Sequence, residues 1–190
     1  ILTPDKEGAV YIAGYMLAMD DQDPSYPALE LANYLLGGNF SSRLVDKLRQ
    51  KEGLCYGTGS RFSADARDKA ATFLMFGICN PENIDKVDQG ALSELRRLAK
   101  DGVSGTELAE FQKYYLEESK TERGNDSLLA GQLRSLLHLG RTYDYYADLE
   151  EKIGRLQPED LNRAAAQYLL PERLVIIRAG DFQKKGPQKK

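Results

Sequence analysis

The stretch from Gly37 to Gly57 reads GGNFSSRLVDKLRQKEGLCYG, and its reading decides how the rest of the chain is organised. Leu44, Val45 and Leu48 fall at helical spacing and form one apolar stripe, with Ser41 or Ser42 able to cap the start. Gly53 supplies the left-handed residue that ends such a helix, and Leu54 onward reads as a strand. The local shape is helix, sharp turn, strand. Arg49 lies in the last helical turn, four residues after Val45, and Tyr56 lies just beyond the reversal. These are the two polar side chains best placed to leave the fold at this point.

Upstream, Gly8 to Met19 (GAVYIAGYMLAM) is rich in apolar and aromatic residues between DKE and DDQD, which suits a largely buried strand. After Pro24 the segment SYPALELANYLLGG places Leu29, Ala32, Leu35 and Leu36 at helical spacing and stops at a glycine pair. Downstream, Leu54–Ala64 and Ala70–Cys79 read as an antiparallel hairpin joined by the polar turn DARDK. Mirror symmetry about Arg67, the middle of that turn, sets Cys55 opposite Cys79 as small buried thiols. From Pro81 the pattern changes to helices, about 82–100, 106–123, 127–139, 143–153 and 159–169, with Ser104 or Thr106 as a cap and Pro158 at a favoured helix start. RLVIIRAG then reads as a last, buried strand. Strands at both ends with helices massed between them predict an α+β fold, a largely antiparallel sheet covered on one side by helices.

A length of 190 residues suits one domain, expected over residues 1–183, with the basic KKGPQKK of 184–190 as a solvated, disordered tail. The hydrophobic fraction of 42% and charged fraction of 29% are those of an ordinary globular protein. A net charge of −3 gives no electrostatic reason to expect nucleic acid or an anionic membrane as partner. No apolar run approaches the roughly 20 residues of a membrane helix. The chain begins at Ile1, as a piece cut from a longer protein would, so the lack of a targeting signal says little about the parent. Two cysteines are too few for a disulfide framework and lack zinc-site spacing.

Zinc hydrolysis commonly uses two histidines among three protein ligands, and this chain has one histidine, His138. Neither H-E-x-x-H nor H-x-x-E-H is possible, and His138 in SLLHLG reads as a last-turn residue favoured by the helix dipole. No G-x-S-x-G turn accompanies it, and the glycines of LLGGNF and YGTGS match no phosphate or dinucleotide fingerprint. The acidic groups at 20–23, 117–118 and 150–151 read as solvated turns and helix faces. Arg49 and Tyr56 survive this elimination. An arginine fork suits carbonyl oxygens and a tyrosine hydroxyl suits a developing oxyanion. Equally, Arg49 can cap its own helix and Tyr56 can pack in the sheet.

The string GG, SSRL, LRQKEGLCYG resembles the signature of the second homologous half of the pitrilysin/insulinase zinc metallopeptidases, a family that includes the mitochondrial processing peptidases and the core proteins of a respiratory complex. The likeness extends over nearly the whole chain, including DKEGAVYIAGYML, DDQDPSYPALELANYLLGG, GICNPENIDKV and LVIIRAGDF. It implies one of two similar α+β halves that close on an extended peptide, the other half carrying H-x-x-E-H and zinc. This chain is then the non-catalytic half, with no cofactor of its own and a homologous zinc-binding half, in the same or a partner chain, as its partner. Arg49 would bind a substrate backbone carbonyl and Tyr56 the scissile carbonyl as its oxygen becomes negative. The family also contains members that serve as scaffolds, so a structural or assembly module is the competing implication. For a bacterial parent, the periplasm or secretion is the plausible setting.

Overall fold

A computed structural model describes residues 1–183; the expected tail of 184–190 lies outside the described residues. Four strands, β1 (Ala9–Leu17), β2 (Cys55–Ala64), β3 (Ala71–Cys79) and β4 (Val175–Ala179), form an antiparallel sheet in the order β2-β3-β1-β4. Among the described residues six α-helices follow the expected plan: α1 (Tyr26–Asn33), α2 (Ile84–Asp101), α3 (Gly105–Arg123), α4 (Asp126–Leu139), α5 (Asp144–Arg155) and α6 (Pro158–Tyr168). Helices α1 and α2 pack on the sheet and α6 packs on both of them. The fold class is the α+β layer read from the sequence.

Strand alternation divides the sheet into a covered and a bare face. Tyr11, Ala13 and Tyr15 of β1 and Phe73 and Met75 of β3 point into the core with Leu29, Leu31, Leu95 and Leu98 of the helices. The opposite face carries rows such as Phe76–Ile12–Ile177 and Ile78–Val10–Ala179, and among the described residues no helix covers them. The capping of α3 is the expected one, the Ser104 hydroxyl accepting from Glu107 N at 3.2 Å. Pro158 opens α6, where Gln157 and Asp160 complete a reciprocal capping box.

Three expectations need correction. The segment after α1 (Tyr34–Gly38) and the one expected as a regular helix (Val45–Lys51) are π-helical turns, so the four-residue relation between Val45 and Arg49 no longer describes one face. Neither Ser41 nor Ser42 caps the latter: Asn39 Oδ1 accepts from Ser41 N at 2.6 Å, while Ser42 is fully buried with its Oγ unpartnered. Strand β4 is not buried; Val175, Ile176 and Ile177 are all exposed. It lies at the sheet edge, pairs with β1 alone among the named strands, and turns Val175 and Ile177 to the bare face. Residues Ile1–Thr3 run beside its far end, with Gly180 N donating to Ile1 O at 3.1 Å and Thr3 N to Gly180 O at 2.9 Å.

Candidate functional site

The opening stretch assembles a groove. Gly37 approaches β2 so closely that an added Cβ would stand 2.2 Å from Ser60 N, so the backbone of this segment lies directly against the strand. From there Gly38, Asn39 and Phe40 lead into the second π-helical segment, which carries Arg49, and Gly53, at φ +61°, reverses the chain into β2. Gly37, Phe40, Arg49, Gly57, Thr58 and Phe76 are among the residues that line the resulting depression. Phe76 belongs to the bare face of the sheet, so the groove opens onto that face.

Tyr56 occupies a β-bulge. Cys55 stands opposite Cys79 and Gly57 opposite Ile78, which leaves Tyr56 as the extra residue on β2. A bulge re-aims the side chain it carries. Tyr56 is accordingly 65% exposed, and its hydroxyl donates to Asn80 Oδ1 at 2.5 Å. The reading in which Tyr56 packs inside the sheet does not describe this geometry.

Arg49 is exposed, and its guanidinium lies 5.2 Å from the centroid of the Phe40 ring, over its face. Among the described residues it makes no hydrogen bond or ion pair, so it does not cap its own helix. The unpaired guanidinium stands on one wall of the groove and the start of β2, through Gly57 and Thr58, forms another; Tyr56 adjoins this wall in the chain without lining the groove, and its hydroxyl is bonded to Asn80. Phe40 and Asn80 are functional candidates that sequence reasoning missed. An aromatic residue among the polar residues of NFSS, and an asparagine ending a strand before Pro81, were the available signals.

The remaining candidates are structural. Cys55 and Cys79 face each other as free thiols. Burial raises Cys55 to about 12, with a smaller contribution from Cys79, and burial raises Cys79 to about 11. Neutral, packed thiols are poor nucleophiles. His138 sits in the last turn of α4 before the left-handed Gly140, as expected. Among the described residues no three histidine, cysteine or carboxylate side chains are grouped to hold a metal, so the residues present do not fit a zinc site.

Residues 2–115 match the family model for the peptidase M16 inactive domain. None of the curated proteins matches the chain in sequence. Among solved structures, the peptidase M16 inactive domain from Pseudomonas fluorescens is 24% identical with a TM-score of 0.79, covering 95% of this chain and 42% of that one. A protease from Helicobacter pylori is 20% identical with a TM-score of 0.81, covering 94% and 43%. The periplasmic protease PqqL from Escherichia coli is 21% identical with a TM-score of 0.71, covering 94% of this chain and 20% of that one. The chain therefore spans less than half the length of these three proteins.

Proposed function

As the chain belongs to the peptidase M16 inactive-domain family, a peptidase-like half without catalysis of its own, we propose that it binds an extended peptide for cleavage by a separate zinc-bearing H-x-x-E-H half. The observation that carries this reading is an outward, bulge-borne Tyr56 that adjoins, through Gly57, a groove holding an unpartnered Arg49 and opening onto a bare apolar sheet face. The zinc chemistry belongs in this reading to the partner half, of the same or another chain.

Arg49 presents a planar fork of N–H donors, which suits the backbone carbonyls that an extended peptide displays. Tyr56 is pre-positioned by Asn80: its ring is already aimed outward, and its hydroxyl has only to exchange one acceptor oxygen for another. A donor held in place before the reaction stabilises the oxygen on which charge develops without reorganising at that moment. The exposed Val10, Ile12 and Ile78 offer apolar surface to substrate side chains beyond the cleaved bond.

The test is steady-state kinetics on a quenched-fluorescence peptide with the chain assembled with its H-x-x-E-H half. Tyr56→Phe is expected to lower kcat about 100-fold, roughly 3 kcal/mol, with little change in KM. Arg49→Ala is expected to raise KM with a smaller fall in kcat, and Arg49→Lys to restore little, since a point charge does not reproduce the fork. Unchanged kinetics in both variants would reject the proposal and leave an assembly role.

A further inference from the structure

On the helical side of the molecule, α1, α3, α4 and α5 surround a cavity of about 240 Å³, built from none of the elements that carry Arg49 and Tyr56. Its walls include Tyr26 of α1, Tyr115 of α3 and Tyr145 and Tyr146 of α5, the last two in edge contact at 5.3 Å between ring centroids. Four carboxylates and two guanidiniums also line it. Arg141 holds Asp21 in a two-point contact at 2.5 and 2.8 Å, and Arg123 is bonded to Glu150. Glu30 and Glu122 are left with no hydrogen-bond or ion-pair partner among the described residues.

Glu30 and Glu122 are part-buried in a cavity that water still reaches, so each either takes up a proton or offers a charge that an entering cation can meet without first breaking an ion pair. Burial pushes the Glu30 carboxyl up to about 7, and burial, with Glu118 second, raises Glu122. The tyrosine faces attract positive charge as well. Arg141 already demonstrates this, its guanidinium lying 4.5 Å over the Tyr145 ring. The carboxylates and phenol oxygens all accept hydrogen bonds, and a primary ammonium brings three donors and no acceptor. The volume falls below the roughly 300–1,000 Å³ of drug-sized pockets and so suits a small group.

We propose that this cavity binds a primary alkylammonium group, with the Glu30 carboxylate as counter-ion and Tyr26 and Tyr115 as its walls. The group would come from a free small amine or from a lysine side chain of a protein seated on the helical layer. This inference is independent of the peptide-binding reading.

Thermal melts of the chain in butylammonium chloride, compared with equal concentrations of sodium chloride, test it. At tenfold the half-saturating concentration the melting temperature should rise by about 4 °C, and the effect should saturate. Glu30→Gln should abolish the response, and because it removes a part-buried charge that has no partner among the described residues the variant should fold at least as well as the parent. Tyr115→Leu should shift half-saturation at least several-fold upward. Stabilisation by Nα-acetyl-lysine amide as well would assign the site to lysine side chains, and stabilisation by butylammonium alone to free amines. An equal effect of sodium chloride, an equal effect of tetramethylammonium, or an undiminished response in Glu30→Gln would overturn the proposal.

Discussion

The two faces of one sheet are built from similar side chains and behave differently. Toward the helices, Tyr11, Ala13, Phe73 and Met75 are fully buried; away from them, Val10, Ile12, Met16 and Ile78 alternate with the same strands' core residues and stand exposed. Because both sets are apolar, AVYIAGYML reads as a continuous hydrophobic run although only half of it enters the core. The covered face holds the fold together. The bare face, with the groove at its margin, is left uncovered by the described residues, and on the proposed peptide-binding reading substitutions on the two faces should separate stability from activity.

The widest separation is expected at Phe73. Phe73→Ala leaves a cavity beneath the helices and should cost about 3–5 kcal/mol, read as a lower midpoint in urea titration. A cost below about 1 kcal/mol would mean that the covered face is not the source of stability. The two arginines of SSRLVDKLR make a closer comparison. Arg43 is nearly buried, bonded to Glu107 through Nε at 2.8 Å and Nη2 at 2.7 Å, and to Gly102 O at 2.9 Å. Arg43→Ala should destabilise by about 2 kcal/mol, whereas Arg49→Ala should change stability by less than about 0.5 kcal/mol in the same titration.

Glu30 sharpens the comparison from the other side, as a member of the helical layer that opposes stability. Its carboxyl is raised in the folded state to about 7 from an ordinary 4.5, so the folded protein binds the proton more tightly than the unfolded chain between those values. Stability from this group is present below about pH 4.5 and is lost as pH rises through about 7. Melts of Glu30→Gln should therefore show a gain over the parent that is absent near pH 4.5 and grows to about 1 kcal/mol at pH 8, discounted for the water that reaches the cavity. The smallest effect belongs to the bare face: Ile12→Thr should lie within about 0.5 kcal/mol of the parent.

Most elements were legible because their signals are local. Gly53 closes the second π-helical segment at positive φ, Ser104 caps α3 and Pro158 opens α6, each where its chemistry places it. The missed features depend on tertiary register. Mirror symmetry about Arg67 would put Tyr56 opposite Ile78, but the hairpin from Gly57 to Ala64 is offset by one residue, and the bulge at Tyr56 restores Cys55 to Cys79. The cysteine pairing was thus anticipated without the irregularity that turns Tyr56 outward. Apolar periodicity likewise marked Leu44, Val45 and Leu48 as buried without distinguishing an α- from a π-helical turn. In β4, Val175–Ile177 looked like a core strand because hydrophobicity does not record whether a strand is central or at the edge.

That edge has a practical consequence for handling the protein. Beyond the reach of Ile1–Thr3, no described residue pairs with the outer edge of Val175–Ile177, which carries exposed branched side chains and no proline or charge among the three. Such a line is a template for a strand from another molecule. Concentrated solutions of the isolated chain are therefore expected to associate through this edge, and a lysine placed at Ile176 should oppose it.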